Sequence, residues 1–199
     1  MKYITVAIAA ATIAATIVLA APAAAIADET CFAGDHEQGT LAFSGAVEGS
    51  AFSGTFGRFS VTYCMPDGKP ADGSIEVQVE LASADSGNRE RDEALKGEEF
   101  FAVEQHPRAE WTSSAIACDG DGYVAEGELA LKGIRAGQTI RFTLAPDGDG
   151  LVARGEFVMS GAAEVDRQRF EVGTGEFADP EFVRNRVDVD FEVRLTAGG

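Results

Sequence analysis

The sequence predicts an all-β domain of about eight antiparallel strands, and three observations carry that expectation. The first is strict alternation. Ile75, Val77, Val79 and Leu81 are apolar while Glu76, Gln78 and Glu80 between them are polar, so one face of that strand is dry and the other wet. The second is recurrence of the pattern. Ile140, Phe142 and Leu144 alternate with Thr139, Arg141 and Thr143, and Val187, Val189, Phe191, Val193 and Leu195 alternate with Asp188, Asp190, Glu192 and Arg194. The third is turn chemistry: Asp119-Gly120-Asp121-Gly122 and Asp147-Gly148-Asp149-Gly150 read as hairpin connectors, and 67–73 as a longer loop.

From the amino end, Lys2 followed by an apolar run over 3–20 reads as an export signal. Ala21-Pro22 interrupts it, and Ala23-Ala24-Ala25 and Ala25-Ile26-Ala27 offer small-x-small cleavage patterns. Residues 1–27 are therefore expected to be removed before Asp28, leaving 28–199 as one soluble periplasmic or secreted domain. An uncleaved anchor is the alternative, because the run is just long enough to span a bilayer. Further strands are expected at 40–47, 52–64, 110–118, 123–132 and 151–160, with 164–172 a weaker candidate. Asn88 caps a short helix that Gly97 stops after Lys96, and Asp179-Pro180 opens a second. Strands with a single dry face must hide it, either in a closed barrel or between the sheets of a sandwich.

The formal net charge is −17 over 199 residues. Such a surface repels phosphate backbones and anionic headgroups, which excludes nucleic-acid binding and disfavours docking to anionic membranes. Cys31, Cys64 and Cys118 are an odd number in an oxidising compartment, so one disulfide and one spare thiol are expected, or a bridge between chains. His36 and His106 are far apart in sequence and no Cys-x-x-Cys pair exists, so no metal site is expected. The two Asp-Gly-Asp-Gly turns lack the rest of a calcium loop. No Gly-x-Ser-x-Gly elbow is present, and Gly173-Thr174-Gly175-Glu176-Phe177-Ala178 lacks the strand-turn-helix setting of a dinucleotide fingerprint. No catalytic residue is expected.

The dry face is uneven. If Leu129 and Leu131 point inward, so do Ala125 and Gly127; with Phe157 and Met159 go Ala153 and Gly155; with Trp111 go Ser113, Ala115 and Ala117. Small residues on neighbouring strands at one level leave either space for an apolar ligand or room that helices and long aromatic side chains fill.

The central segment carries a resemblance. Arg91-Asp92-Glu93-Ala94-Leu95-Lys96, then Phe100-Phe101, then Pro107-x-Ala109-x-Trp111, resembles the signature of the YceI-like, polyisoprenoid-binding family. Leu41-x-Phe43, Gly54-Thr55-Phe56 with Phe59, Leu131-Lys132-Gly133-Ile134 and Asp166-Arg167-x-x-Phe170-x-Val172-Gly173 are similar to flanking segments of that family, over about residues 32–195. The sequence departs from the family pattern at Ala94, where His is frequent, and at Asp35-His36-Glu37-Gln38-Gly39.

The resemblance implies an extended eight-stranded antiparallel barrel of lipocalin-like shape with one or two short helices. It also implies a non-enzymatic carrier whose apolar tunnel takes a polyprenyl chain or an isoprenoid quinone, with no cofactor required. On that barrel the expected tunnel lining includes Phe43, Phe56, Phe59, Val77, Val79 and Phe100. Phe101, Trp111, Leu129, Phe142, Phe157 and Phe191 complete it. Arg91, Asp92, Asp166 and Arg167 are expected either to tune the tunnel mouth or to form the ion pairs Arg91–Asp92 and Asp166–Arg167. The hairpins of such a barrel bring Cys64 opposite residues 33–34, which favours Cys31–Cys64 as the bridge. A homodimer, or a membrane b-type cytochrome receiving a bound quinone, are partners that the resemblance allows. An enzyme that modifies the bound lipid would need a polar cluster such as Asp92, Arg91 and a hydroxyl inside the tunnel.

Overall fold

A computed structural model describes residues 29–146 and 151–198. The expected leader and the turn at 147–150 lie outside the described residues. Eleven strands form one continuous sheet, every pairing antiparallel: β1 (Glu29–Asp35), β2 (Gly39–Val47), β3 (Ser50–Phe56), β4 (Phe59–Pro66), β5 (Ser74–Glu80), β6 (Ala84–Asp85), β7 (Arg108–Asp119), β8 (Gly122–Leu131), β9 (Ile134–Ala145), β10 (Glu156–Asp166) and β11 (Arg186–Ala197). Two helices accompany them, α1 (Arg89–Lys96) and the single turn α2 (Leu151–Arg154).

The architecture is an eight-stranded barrel whose first three staves are each broken once. β1 and β2 are separated only by the turn at 36–38, β3 and β4 only by Gly57 and Arg58, and β5 runs through the 3₁₀ turn Leu81–Ser83 into β6. At one end the ring closes through β1, which pairs with β4 on one side and with β11 on the other. At the opposite end it closes through β6, which pairs with β3, then β2, then β11. Closure leaves no free sheet edge and gives every strand one interior face. The burial pattern follows: Phe59, Val61, Tyr63 and Met65 of β4 are buried and alternate with exposed or half-buried neighbours.

Several expectations require correction. β1 has no alternating sequence pattern and was not expected as a strand; Phe32 is its fully buried residue. The regions 151–160 and 164–172 are not two strands. α2 occupies the beginning, Gly155 with φ +74° turns the chain, β10 runs to Asp166, and the 3₁₀ turn Arg167–Phe170 follows. Asp166 ends the strand because its carboxylate accepts from the Gln168 amide at 3.0 Å. Asp179-Pro180 opens a turn rather than a helix: the amides of Phe182 and Val183 both donate to Asp179 O, and Val183 then bridges to Val47.

A bulge between Ser113 and Ala115 reverses the parity of β7. Ile116 therefore points inward while Ala115 and Ala117 are exposed, and Ser113 Oγ accepts from the Ile75 amide at 2.8 Å. Ala153 and Gly155 lie before β10, so its inward small residues are Gly161 and Ala163 instead.

Cys31 and Cys64 sit directly opposite each other in the β1–β4 register and are joined by a disulfide; Cys118 is free and exposed. The expected register, with Cys64 opposite 33–34, is displaced by two residues. The β2–β3 ladder pairs Val47 with Ser50, whereas β1–β4 pairs Asp35 with Ser60, because the turn at 36–38 loops extra chain out of the first stave.

Candidate functional site: an apolar cavity inside the barrel

The disulfide end of the barrel is packed solid. Phe32, Tyr63, Met65, Phe157 and Leu195 are essentially inaccessible, with Phe32 and Phe157 rings 4.9 Å apart and Tyr63 edge-on to Phe142 and Phe157. The Tyr63 hydroxyl donates to Pro70 O at 2.8 Å, which satisfies the one polar atom in this cluster, and burial pushes its ionisation far above the ordinary phenol range. Leu151 of α2 covers the same end. Phe157, expected in the tunnel lining, belongs to this plug and does not face the cavity.

Beyond the plug the interior opens into a cavity of about 220 Å³. An apolar cavity of about 150 Å³ already stays dry and accepts benzene, so a hydrocarbon segment fits here and water gains nothing by entering. Of the expected residues, Phe43, Phe56, Phe59, Val77, Val79, Phe100, Phe101, Trp111, Leu129, Phe142 and Phe191 all face this space. Glycines let several of the rings lie across neighbouring strands: a Cβ on Gly127 would stand 2.5 Å from the Trp111 indole, and one on Gly161 2.5 Å from the Phe191 ring. Gly127 thus leaves no void of its own; Trp111 covers it.

The end opposite the plug is roofed by rings and by Leu95 of α1. Phe43, Phe56 and Phe101 form a chain with centroid separations of 5.0 and 6.2 Å. Asn88 caps α1 by accepting from the Arg91 amide at 3.1 Å, which sets the helix where Leu95 points into the barrel. The cavity wall reaches the surface beside Phe52 and Arg184; the Arg184 guanidinium is exposed and donates to Asp188 at 2.8 Å.

The expected ion pairs Arg91–Asp92 and Asp166–Arg167 do not form. Neighbours in sequence on a helical turn do not face one another. Arg91 instead donates to Ser86 Oγ at 2.7 Å and covers the Phe52 ring at 4.7 Å, while Asp92 accepts from the Ser86 hydroxyl and amide at 2.6 and 2.8 Å. Those bonds from Ser86, with the nearby charges of Arg91 and Lys96, hold the Asp92 carboxyl below its usual value. This cluster lies behind Phe52, and none of its three residues lines the cavity.

Arg167 does line it. Only 3% exposed, it donates to five backbone carbonyls: Arg184 O at 3.2 Å, Val172 O at 2.8 Å, Gly173 O at 2.9 Å, Phe177 O at 2.8 Å and Val183 O at 2.7 Å. Every N–H of the guanidinium is spent on tying two loop segments to the barrel. Burial lowers its pKa, against the opposing charge of Asp166.

Gln138 was not singled out by its sequence, because the alternation on β9 was read only from Thr139 onward. Its side chain is the one amide on the cavity wall. It also marks a seam: the β9–β10 ladder stops at Arg141–Ala162 although both strands continue, and beyond that point Gln138 Nε2 donates to Glu164 O at 3.0 Å and Arg169 to Gly137 O at 3.1 Å. Among the described residues no group of three or more His, Cys, Asp or Glu is placed to hold a metal ion.

A closed antiparallel barrel with one packed end and a hydrocarbon-lined interior defines a lipocalin-like class of protein, one able to hold an apolar ligand. The family model for the YceI-like domain matches residues 32–195, and the chain belongs to that family. A UPF0312 protein of Photorhabdus laumondii is 33% identical over 81 residues, covering 41% of this chain and 42% of the relative. One from Pectobacterium atrosepticum is 35% identical over 81 residues. The match spans less than half the length of these curated relatives.

Among solved structures, BcnA of Burkholderia cenocepacia superposes with a TM-score of 0.74 at 27% identity, covering 82% of this chain and 99% of BcnA. A polyisoprenoid binding domain from Saccharophagus degradans has a TM-score of 0.57 at 12% identity, covering 87% of this chain and all of that one, and shares the fold.

Proposed function

We propose that this chain is an exported, non-enzymatic protein that carries or sequesters a long-chain isoprenoid-type lipid in the barrel cavity. The observation that carries the reading is the cavity wall: it is hydrocarbon apart from Gln138, Arg167 and Arg184, and Arg167 has no donor left to give. Membership of the YceI-like family and the name of the Saccharophagus degradans domain agree with a polyprenyl ligand. Affinity would come from burying the chain, at about 0.8 kcal/mol per CH₂-sized unit before ordering costs. A cavity of about 220 Å³ takes a segment of such a chain rather than the whole, so the remainder passes out beside Phe52 and Arg184.

Trp111 is the only tryptophan and faces the cavity, so its emission reports occupancy directly. Titration with geraniol, farnesol and geranylgeraniol should change that emission saturably at one ligand per chain. Affinity should rise from the shortest to the middle alcohol and then flatten as added units leave the cavity. No change in emission with any of the three, confirmed by calorimetry, would remove the isoprenoid reading.

A further inference from the structure

We infer that the cavity selects an apolar ligand whose polar end carries a hydroxyl, with Gln138 Oε1 as the acceptor; this rests on the lipid-binding reading above. Gln138 projects from β9 between inward-facing Ala136 and Ile140, on the cavity wall. Its Nε2 donates to Thr139 O and to Glu164 O, both at 3.0 Å. Two carbonyl partners fix which end of the amide is nitrogen, since an oxygen there would face two acceptors. Both amide protons are thereby used, and Oε1 is turned away from them.

An account of the remaining polar atoms sharpens the point. The Trp111 indole N–H donates to Gln138 O at 3.1 Å, and all five Arg167 N–H groups are bound to carbonyls. Arg184 lies at the exposed end, engaged with Arg186 O and Asp188. Inside the cavity, then, every donor is spent and Gln138 Oε1 is an acceptor with no protein partner. No buried side-chain nitrogen or oxygen among the described residues lacks a hydrogen bond, so Oε1 is accessible rather than sealed in.

In a hydrocarbon surrounding an acceptor gains most from a donor, whereas a carbonyl or ether oxygen set against it meets lone pair with lone pair and loses its own hydration. A terminal alcohol on a prenyl chain and the ring hydroxyl of a reduced quinone share the required group; an oxidised quinone lacks it. The Trp111 indole, bonded to the backbone of the same residue, supplies an apolar wall beside the hydroxyl.

Competition native mass spectrometry of the mature chain tests this with two matched pairs: geranylgeraniol against its methyl ether, and a short-chain benzoquinol against its benzoquinone under anaerobic conditions. The wild type should favour the hydroxyl member of at least one pair by about five- to tenfold, and Gln138→Leu should bring that ratio to about one. Preference in the first pair alone assigns an alcohol, and in the second alone a ring hydroxyl. A ratio within one protein does not depend on its stability. If Gln138→Leu fails to fold once its seam bond to Glu164 O is gone, Gln138→Met is read the same way. Equal occupancy in both pairs by the wild type, or a preference that survives loss of the amide, overturns the inference and leaves lipid binding intact. Failure of every ligand to bind removes the lipid-binding reading and this one with it.

Discussion

Arg167→Leu is expected to destabilise the protein by about 3–5 kcal/mol, a large part of the stability of a single domain. Leucine fills part of the volume but leaves the carbonyls of Val172, Gly173, Phe177, Val183 and Arg184 without their shared donor. These carbonyls belong to two segments with little regular structure, and the guanidinium is what joins them to the end of β10. Arg167→Lys should recover only part of the loss, because an ammonium offers three donors from one point instead of a planar fork. Urea denaturation measures both. Arg135→Ala is the control, since its pairing with Glu128 at 3.0 Å is exposed and should contribute within about 1 kcal/mol. Arg167→Leu at wild-type stability would mean that these segments are held by their own packing.

Loss of the disulfide is the second large effect. Cys31 and Cys64 are 33 residues apart, and closing a loop of that length restricts the unfolded chain enough to contribute about 3–4 kcal/mol. Cys31→Ser, Cys64→Ser and the double variant should show the same deficit in urea denaturation, because one bridge is lost in each. Cys118→Ser should match the wild type, its thiol being exposed and unbridged. A double variant much less stable than either single one would show that each cysteine contributes through packing instead. The bridge ties β1 to β4 where the barrel closes, beside the plug of Phe32 and Tyr63, so its loss should act first on that end.

The barrel was legible where alternation is unbroken. β5, β9 and β11 carry residue types that place one face in oil and one in water, and their registers follow the pattern. It was illegible where the constraint is not periodic. Glu29–Asp35 becomes a strand because β4 and β11 both need a partner there, which no local pattern announces. The bulge in β7 is invisible in a run of Ser113, Ser114 and Ala115, all small, and it overturned the expected inward set.

Most of the cavity lining was readable because large aromatics at inward parity have nowhere else to go, yet Phe157 shares that parity and lies one level lower, in the plug. Distance along the barrel axis, unlike side of the sheet, is not written in a period-two code. The arginines misled for a different reason. Adjacent opposite charges invite pairing on paper, but side-chain direction sends Arg91 to Ser86 and Phe52, and Arg167 inward to carbonyls. Gln138 shows the same limit, since a polar residue at an inward position reads as an irregularity until its partners are known.

The most direct test of the central claim is native mass spectrometry of the mature protein purified from an exporting host, followed by denaturing extraction of bound small molecules. The comparison is with Ala163→Trp, which places a large side chain in the middle of the cavity wall. The wild type should carry one isoprenoid-type lipid per folded chain, and the cavity-filled variant should be folded and empty. A clean apo mass for the wild type that persists after incubation with prenyl lipids, or equal lipid loading of the two proteins, would contradict the account.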